Sequence, residues 1–161
     1  MSAGRLCGLA LFCALMTAGK ELMNLLPNIH PVTLFIILGV MVFGRACILP
    51  VASFVLAEIA LHGMGWWTWS YLYIWPLQML TALPLRQNRS RMVWACFAGF
   101  HGLCFGALSA LPTLLVSGGK AALAYWAAGI PFDLIHAAGN FFLVYFLLMP
   151  LYERIPKDLL R

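Results

Sequence analysis

The sequence predicts an all-α integral membrane bundle of six transmembrane helices, one domain over residues 1–161, and three observations lead there. Apolar side chains make up 63% of the chain and charged ones only 9%, with a mean hydropathy of +0.92, whereas about a quarter of the residues of a soluble domain are charged. Charged residues and Gly/Pro clusters cut the chain into apolar stretches at about 6–19, 32–61, 66–85, 92–116 and 121–152, and a bilayer crossing takes about 20 such residues. The basic residues stand singly between these stretches, as loops between spans do. A net charge of +5 spread in this way does not make the basic patch that nucleic acid requires, so nucleic-acid binding is not expected. Spans of this length fill the 161 residues, and no soluble domain is expected among them.

Span 1 covers about 5–23. Arg5 precedes an apolar run and Thr17-Ala18-Gly19 follows it, the layout of a signal peptide; because more membrane segments follow, the run is read as a retained first helix. The stretch 32–61 is too long for one span. As a single helix it would reach about 45 Å against a hydrocarbon core of about 30 Å, with Arg45 near the midplane at a cost of several kcal/mol. Two short helices, about 31–44 and 47–62, hinged at Gly44-Arg45 with Pro50 in the first turns of the second, remove both difficulties. Three more spans follow at about 65–85, 92–116 and 129–152. With both termini inside, Arg5, Arg45, Arg86, Arg89, Arg91, Arg154, Lys157 and Arg161 fall on the inner side and only Lys20 and Lys120 outside. That asymmetry obeys the positive-inside rule and predicts a multi-pass cell-membrane protein with cytoplasmic termini. Cys7, Cys13, Cys47, Cys96 and Cys104 show no metal-ligand or CxxC spacing and read as small buried apolar residues.

Directed in this way, the spans give each rare polar residue a depth. Asn28, His30 and Thr33 open span 2 from outside, and Glu58 and His62, four apart and so on one face, close span 3 there. Asp133, His136 and Asn140 follow at i, i+3 and i+7 in span 6, a stripe descending about 10 Å that faces protein or water rather than lipid. Trp66, Trp67, Trp69, Tyr71, Tyr73 and Trp75 open span 4, and Tyr125 and Trp126 lie in an expected outer loop before span 6. The inner half holds little beyond Gln78, Thr81 and His101. A solute site therefore opens outward, with Asn28, His30, Glu58, His62, Trp67, Tyr71, Trp126, Asp133, His136 and Asn140 as its candidate residues. Ring stacking by Trp or Tyr with polar groups at the edges suits a small heteroaromatic ligand, and the carboxylates of Asp133 and Glu58 favour a neutral or cationic one over an acid.

Plainer readings compete with these. Interfacial Trp and Tyr form anchoring belts; Lys20, Glu21 and Lys120 read as solvated loop charges, Glu58 and His62 as wetted groups, and His101, among glycines, as a packing histidine. Asp133 and His136 could form an acid/base pair in a small intramembrane enzyme, and Glu58, His62, His136 and Asp133 have metal-binding chemistry. However, HExxH, GxSxG, DxxD and nucleotide-loop motifs are all lacking, so no catalytic residue, metal or cofactor is assigned. A purely structural membrane subunit is the third reading. In span 1, Ala10, Ala14 and Ala18 recur every fourth residue, a spacing that lets another helix approach closely in lipid; this is the candidate partner-docking face.

These residues together resemble the substrate-binding S component of energy-coupling factor (ECF) vitamin transporters. The resemblance rests on the length, the six spans, the alanine stripe, Leu26-Pro27-Asn28-Ile29-His30-Pro31 leading to Leu38-Gly39 and Phe43-Gly44, and Gly129-Ile130-Pro131-Phe132-Asp133-Leu134-Ile135-His136 with Asn140. It implies a six-helix protein that binds a vitamin or related micronutrient near the outer surface, under the loop after span 1. It further implies docking through Ala10 and Ala14 onto a transmembrane coupling subunit with two cytoplasmic ATPase subunits, toppling in the membrane to carry the ligand inward, and a pocket to which the 131–140 segment contributes. The loop after span 1 is short for the family, and no motif here assigns a particular vitamin.

Overall fold

The computed structural model describes residues 3–23 and 29–156. They form helices α1 (Ala3–Leu22), α2 (Val32–Phe43), α3 (Ile48–His62), α4 (Trp66–Ala82), α5 (Arg91–Ser109) and α6 (Leu111–Glu153). Short 3-10 turns at Gly44–Cys47 and Leu83–Leu85 follow α2 and α4, and there are no strands among the described residues. By length and composition four stretches can cross a bilayer: Ala3–Leu22, Val32–His62, Arg91–Ser109 and Leu111–Glu153. The expected spans 2 and 3 lie together within the second of these, and α4, with 17 residues, falls short of the roughly 20 of a full crossing. Large apolar side chains such as Leu56, Phe100 and Phe146 are more than half exposed on the outside of the bundle, the surface of a protein that sits in lipid rather than water.

α2 is the centre. All of its residues except Phe35 are buried, as expected for a helix that is apolar all round. At its C-terminus Gly44 takes φ 60°, a conformation glycine adopts without strain, and a Cβ there would lie 2.8 Å from Nη1 of Arg86. Arg5 donates to the Phe43 carbonyl at 3.3 Å and Arg86 to that of Val42 at 3.5 Å, so two cations satisfy the end of α2 where helical carbonyls lack partners and the dipole is negative. The chain then reverses: α1 starts beside Phe43 and ends with Lys20 beside Glu58 of α3, which sets α2 and α3 antiparallel. Arg45 is exposed at the reversal and not stranded mid-helix. The same end of the bundle holds Arg89, whose guanidinium donates to the Tyr152 hydroxyl at 2.9 Å and lies 4.6 Å from its ring.

α5 and α6 pack backbone to backbone. Gly99, Gly102 and Gly106 line the contact, and a Cβ on Gly102 would stand 2.7 Å from the Ala137 nitrogen. Small residues at such spacing allow this approach.

Three expectations are corrected here. The span expected to run to 116 ends at Ser109, where Ala110 turns the chain and Pro112, in the first turn of α6, starts a new helix, a position proline favours. The loop expected before 129, with Tyr125 and Trp126, is helical, because the alanine-rich run 121–128 is a strong helix former and the direction change is concentrated at Gly118, φ 81°. Of the cysteines only Cys47 is buried; Cys7 and Cys96 are exposed on outward helix faces. The Ala10, Ala14 and Ala18 stripe is exposed, while Leu9, Phe12 and Met16 turn α1's other face into the core.

Replacing Gly102 with Leu drives a side chain into the α6 backbone and should destabilise the fold by about 3 kcal/mol or more, the upper range of overpacking. Gly4→Ala, with open space at its Cβ, should leave the melting temperature unchanged or slightly higher. Thermal unfolding of both variants in detergent checks the pair.

Candidate functional site

At the end of the bundle opposite Arg5 and Arg89, the helix faces that meet carry the chain's polar and aromatic residues. On α4, Trp67, Tyr71 and Trp75 recur at i, i+4 and i+8, with Gln78 one turn further, which puts them on one side. Trp75 is fully buried and is the hub of a ring cluster: His30 lies 5.9 Å from it edge-on, Tyr71 5.2 Å, Phe105 5.6 Å, and His101 stacks at 6.2 Å. His136 closes the cluster from α6, 5.2 Å from His30 and 4.8 Å from Phe105.

Within this cluster polar atoms are left without partners. Both ring nitrogens of His136, Nε1 of Trp75, the side-chain amide of Gln78 and the Thr33 hydroxyl are buried with no hydrogen bond among the described residues. Each such group costs about 1–3 kcal/mol if nothing meets it, and a concentration of them on α2, α4 and α6 marks a place built to receive hydrogen-bonding atoms.

The expected stripe on α6 divides by role. Asp133, His136 and Asn140 are all buried, but the Gly106 N–H donates to Oδ1 of Asp133 at 2.9 Å and Nδ2 of Asn140 donates to the Ala98 carbonyl at 3.4 Å. These two fasten α6 to the glycine face of α5. Of the three, His136 alone has its ring in the cluster, where its nitrogens, like those of His101 and Nδ1 of His30, have no partner among the described residues. Asp133 and His136 share no hydrogen bond among the described residues.

Beside the cluster, at the C-terminal ends of α1 and α3, stands a charge network. Lys20, read from the sequence as a solvated loop charge, is buried: its ammonium lies 2.7 Å from Oε2 of Glu58 and 3.1 Å from Oε1 of Glu21, with the Trp67 ring 5.4 Å below. The reason is that α1 stays helical to Leu22, which carries Lys20 onto α3 instead of into a loop. Glu58 is fully buried and not merely wetted. His62, largely exposed, is 2.9 Å from Oε1 of Glu21 and packs against Trp67. Glu21, Glu58 and His62 each bring a potential metal-ligand atom within 4.8 Å of the others, yet Lys20 already supplies the positive charge there. No family model, curated protein or solved structure matches the chain.

Of the ten candidate binding residues, His30, Glu58, His62, Trp67, Tyr71 and His136 are brought together at this end. Asn140 and Oδ1 of Asp133 bond α5, while Oδ2 of Asp133 has no partner among the described residues and the residue lines a groove with Phe105, Tyr125 and Phe132. Trp126 is not part of the cluster: it lines a separate groove with Leu111, Leu114 and Leu123. Asn28 lies outside the described residues. The sequence reading missed Trp75, Lys20, Thr33, Gln78 and Phe105 as site residues, and took His101 for packing. The four-residue spacing of Trp67, Tyr71 and Trp75 was the available signal; nothing in the local sequence marked Lys20.

Lys20→Met removes one partner of a buried ion pair and should lower stability by about 3–5 kcal/mol. Lys20→Met combined with Glu58→Gln leaves no unpaired buried charge and should recover most of that loss, read as melting temperatures of the three proteins in detergent.

Proposed function

We propose that this chain is the membrane-embedded substrate-binding subunit of an ATP-driven importer of the ECF type, capturing a vitamin or related micronutrient from outside the cell. The observation that carries this reading is the set of buried, unpartnered polar atoms on three helices around the Trp75 ring. Aromatic side chains with a few convergent polar groups are the lining that small-molecule sites use. Two further features support it. The Ala10, Ala14 and Ala18 face of α1 is exposed and small enough for close helix contact, which suits a transmembrane coupling subunit. The sequence carries no nucleotide-binding motif, so energy in this reading comes from two partner ATPase subunits.

In the topology that goes with this function, six helices cross the cell membrane, with α2 and α3 as short antiparallel passes and both termini cytoplasmic. The clustering of Arg5, Arg86 and Arg89 at one end of the bundle then puts the positive charges inside and the ring cluster toward the exterior.

Mass spectrometry of small molecules retained through purification should find a bound compound, and His136→Ala should weaken its binding at least tenfold, about 1.4 kcal/mol. Ala14→Trp should leave ligand affinity unchanged and abolish copurification with an ATPase-bearing complex. A well-folded protein that retains nothing and binds no member of a vitamin panel is a structural subunit, and the proposal fails.

A further inference from the structure

Resting on that reading, we infer that the ligand is an uncharged, planar heteroaromatic compound, and that Lys20 is the residue that sets this selectivity by cancelling the buried carboxylate of Glu58 beside the ring cluster. The shape follows from the rings. Phe54, Tyr71 and Phe105 lie 6.2, 5.2 and 5.6 Å from the Trp75 ring, an aromatic surface of the kind on which a planar ring stacks. Among the described residues, the unpartnered polar groups around Trp75 include none with a fixed charge: the indole N–H of Trp75 donates, the Gln78 amide and the Thr33 hydroxyl can each donate and accept, and the imidazoles of His30, His101 and His136 offer ring nitrogens. They match the ring nitrogens, amides and carbonyls at the edge of such a compound.

The absence of charge on the ligand follows from where the protein's own charges go. The buried carboxylate of Glu58 is held by Lys20 at 2.7 Å, and the second contact of Lys20 is Glu21, which also meets His62. A cationic ligand reaches Glu58 only by displacing a tethered ammonium, and an anionic one faces two carboxylates. Asp133 has Oδ1 on the Gly106 N–H and Oδ2 without a partner among the described residues, and it lines a groove with Ser109, Tyr125 and Phe132 in which neither Trp75 nor His136 takes part. Arg5, Arg86 and Arg89 are engaged at the other end of the bundle on the carbonyls of Phe43 and Val42 and on Tyr152. A charged guest would therefore give up its hydration with no opposite charge to meet it, and burying an uncompensated ion is far more costly than burying a neutral polar group.

The test uses the purified full chain in detergent and matched triplets of one- to three-ring nitrogen heterocycles, each as the amide, the carboxylate and the N-methylated cation, titrated by calorimetry. At least one amide should bind ten or more times tighter than its carboxylate and its cation. Lys20→Met should shift preference at least tenfold toward the cation. If that variant does not fold, Lys20→Met with Glu58→Gln, which removes both charges, should fold and keep the preference for the amide. Asp133→Asn should leave the preference unchanged.

A carboxylate or cation that binds tighter than its amide overturns the inference and leaves the solute-binding function standing, as does a retained compound that mass spectrometry finds to be charged or aliphatic. A retained neutral heteroaromatic supports it even where no triplet binds. A protein that neither retains nor binds anything removes both the inference and the function beneath it.

Discussion

A bundle surrounded by apolar solvent has no water with which to satisfy its interior polar groups, so each must find a partner inside the protein or be met by something that enters. Most of the polar residues of this chain follow the first course. Arg5 and Arg86 finish the carbonyls at the end of α2, Asp133 and Asn140 bond the backbone of α5, Tyr73 donates to the Leu108 carbonyl at 2.6 Å, and Lys20 neutralises Glu58. The exceptions are concentrated around Trp75. If their purpose were only to pack, apolar residues of the same volume would do so at lower cost.

The close contact of α5 and α6 decides which polar groups are left over. Because Gly99, Gly102 and Gly106 remove side chains from one face of α5, the α6 backbone comes within reach, and Asp133 can accept directly from the Gly106 N–H. Three residues later the His136 backbone lies at the Gly102 approach, but its ring meets those of Phe105 and His30 and accepts no backbone N–H of α5 among the described residues. One helical turn thus separates a residue that fastens two helices from one whose ring nitrogens have no partner among the described residues.

That distinction marks how much was legible in the sequence. Composition and the spacing of apolar stretches were enough for the helical class, and the length of the 32–61 stretch with Arg45 inside it was enough for the reversal at Gly44. The i, i+3, i+7 spacing placed Asp133, His136 and Asn140 on one face. It could not say which of them bonds the neighbouring helix, because that depends on glycines some 30 positions away in a segment read only for its histidine. The loop expected at 117–128 went wrong for a related reason: Gly118 and Lys120 look like a span boundary, but alanine-rich sequence propagates a helix past a single glycine kink.

Lys20 shows the limit most clearly. An isolated lysine between two apolar stretches is ordinarily a loop charge, and its burial comes from a carboxylate 38 positions later on a helix that returns only because the chain reverses at Gly44. The consequence reaches beyond stability. α1 bears on one face the small-residue stripe and on the other Leu9, Phe12, Met16 and Lys20. In the proposed reading, the helix that meets a membrane partner is therefore the same helix whose ammonium neutralises Glu58. A partner packed on the alanines would then bear on the element that holds this charge balance, through about 15 Å of helix between Ala10 and Lys20.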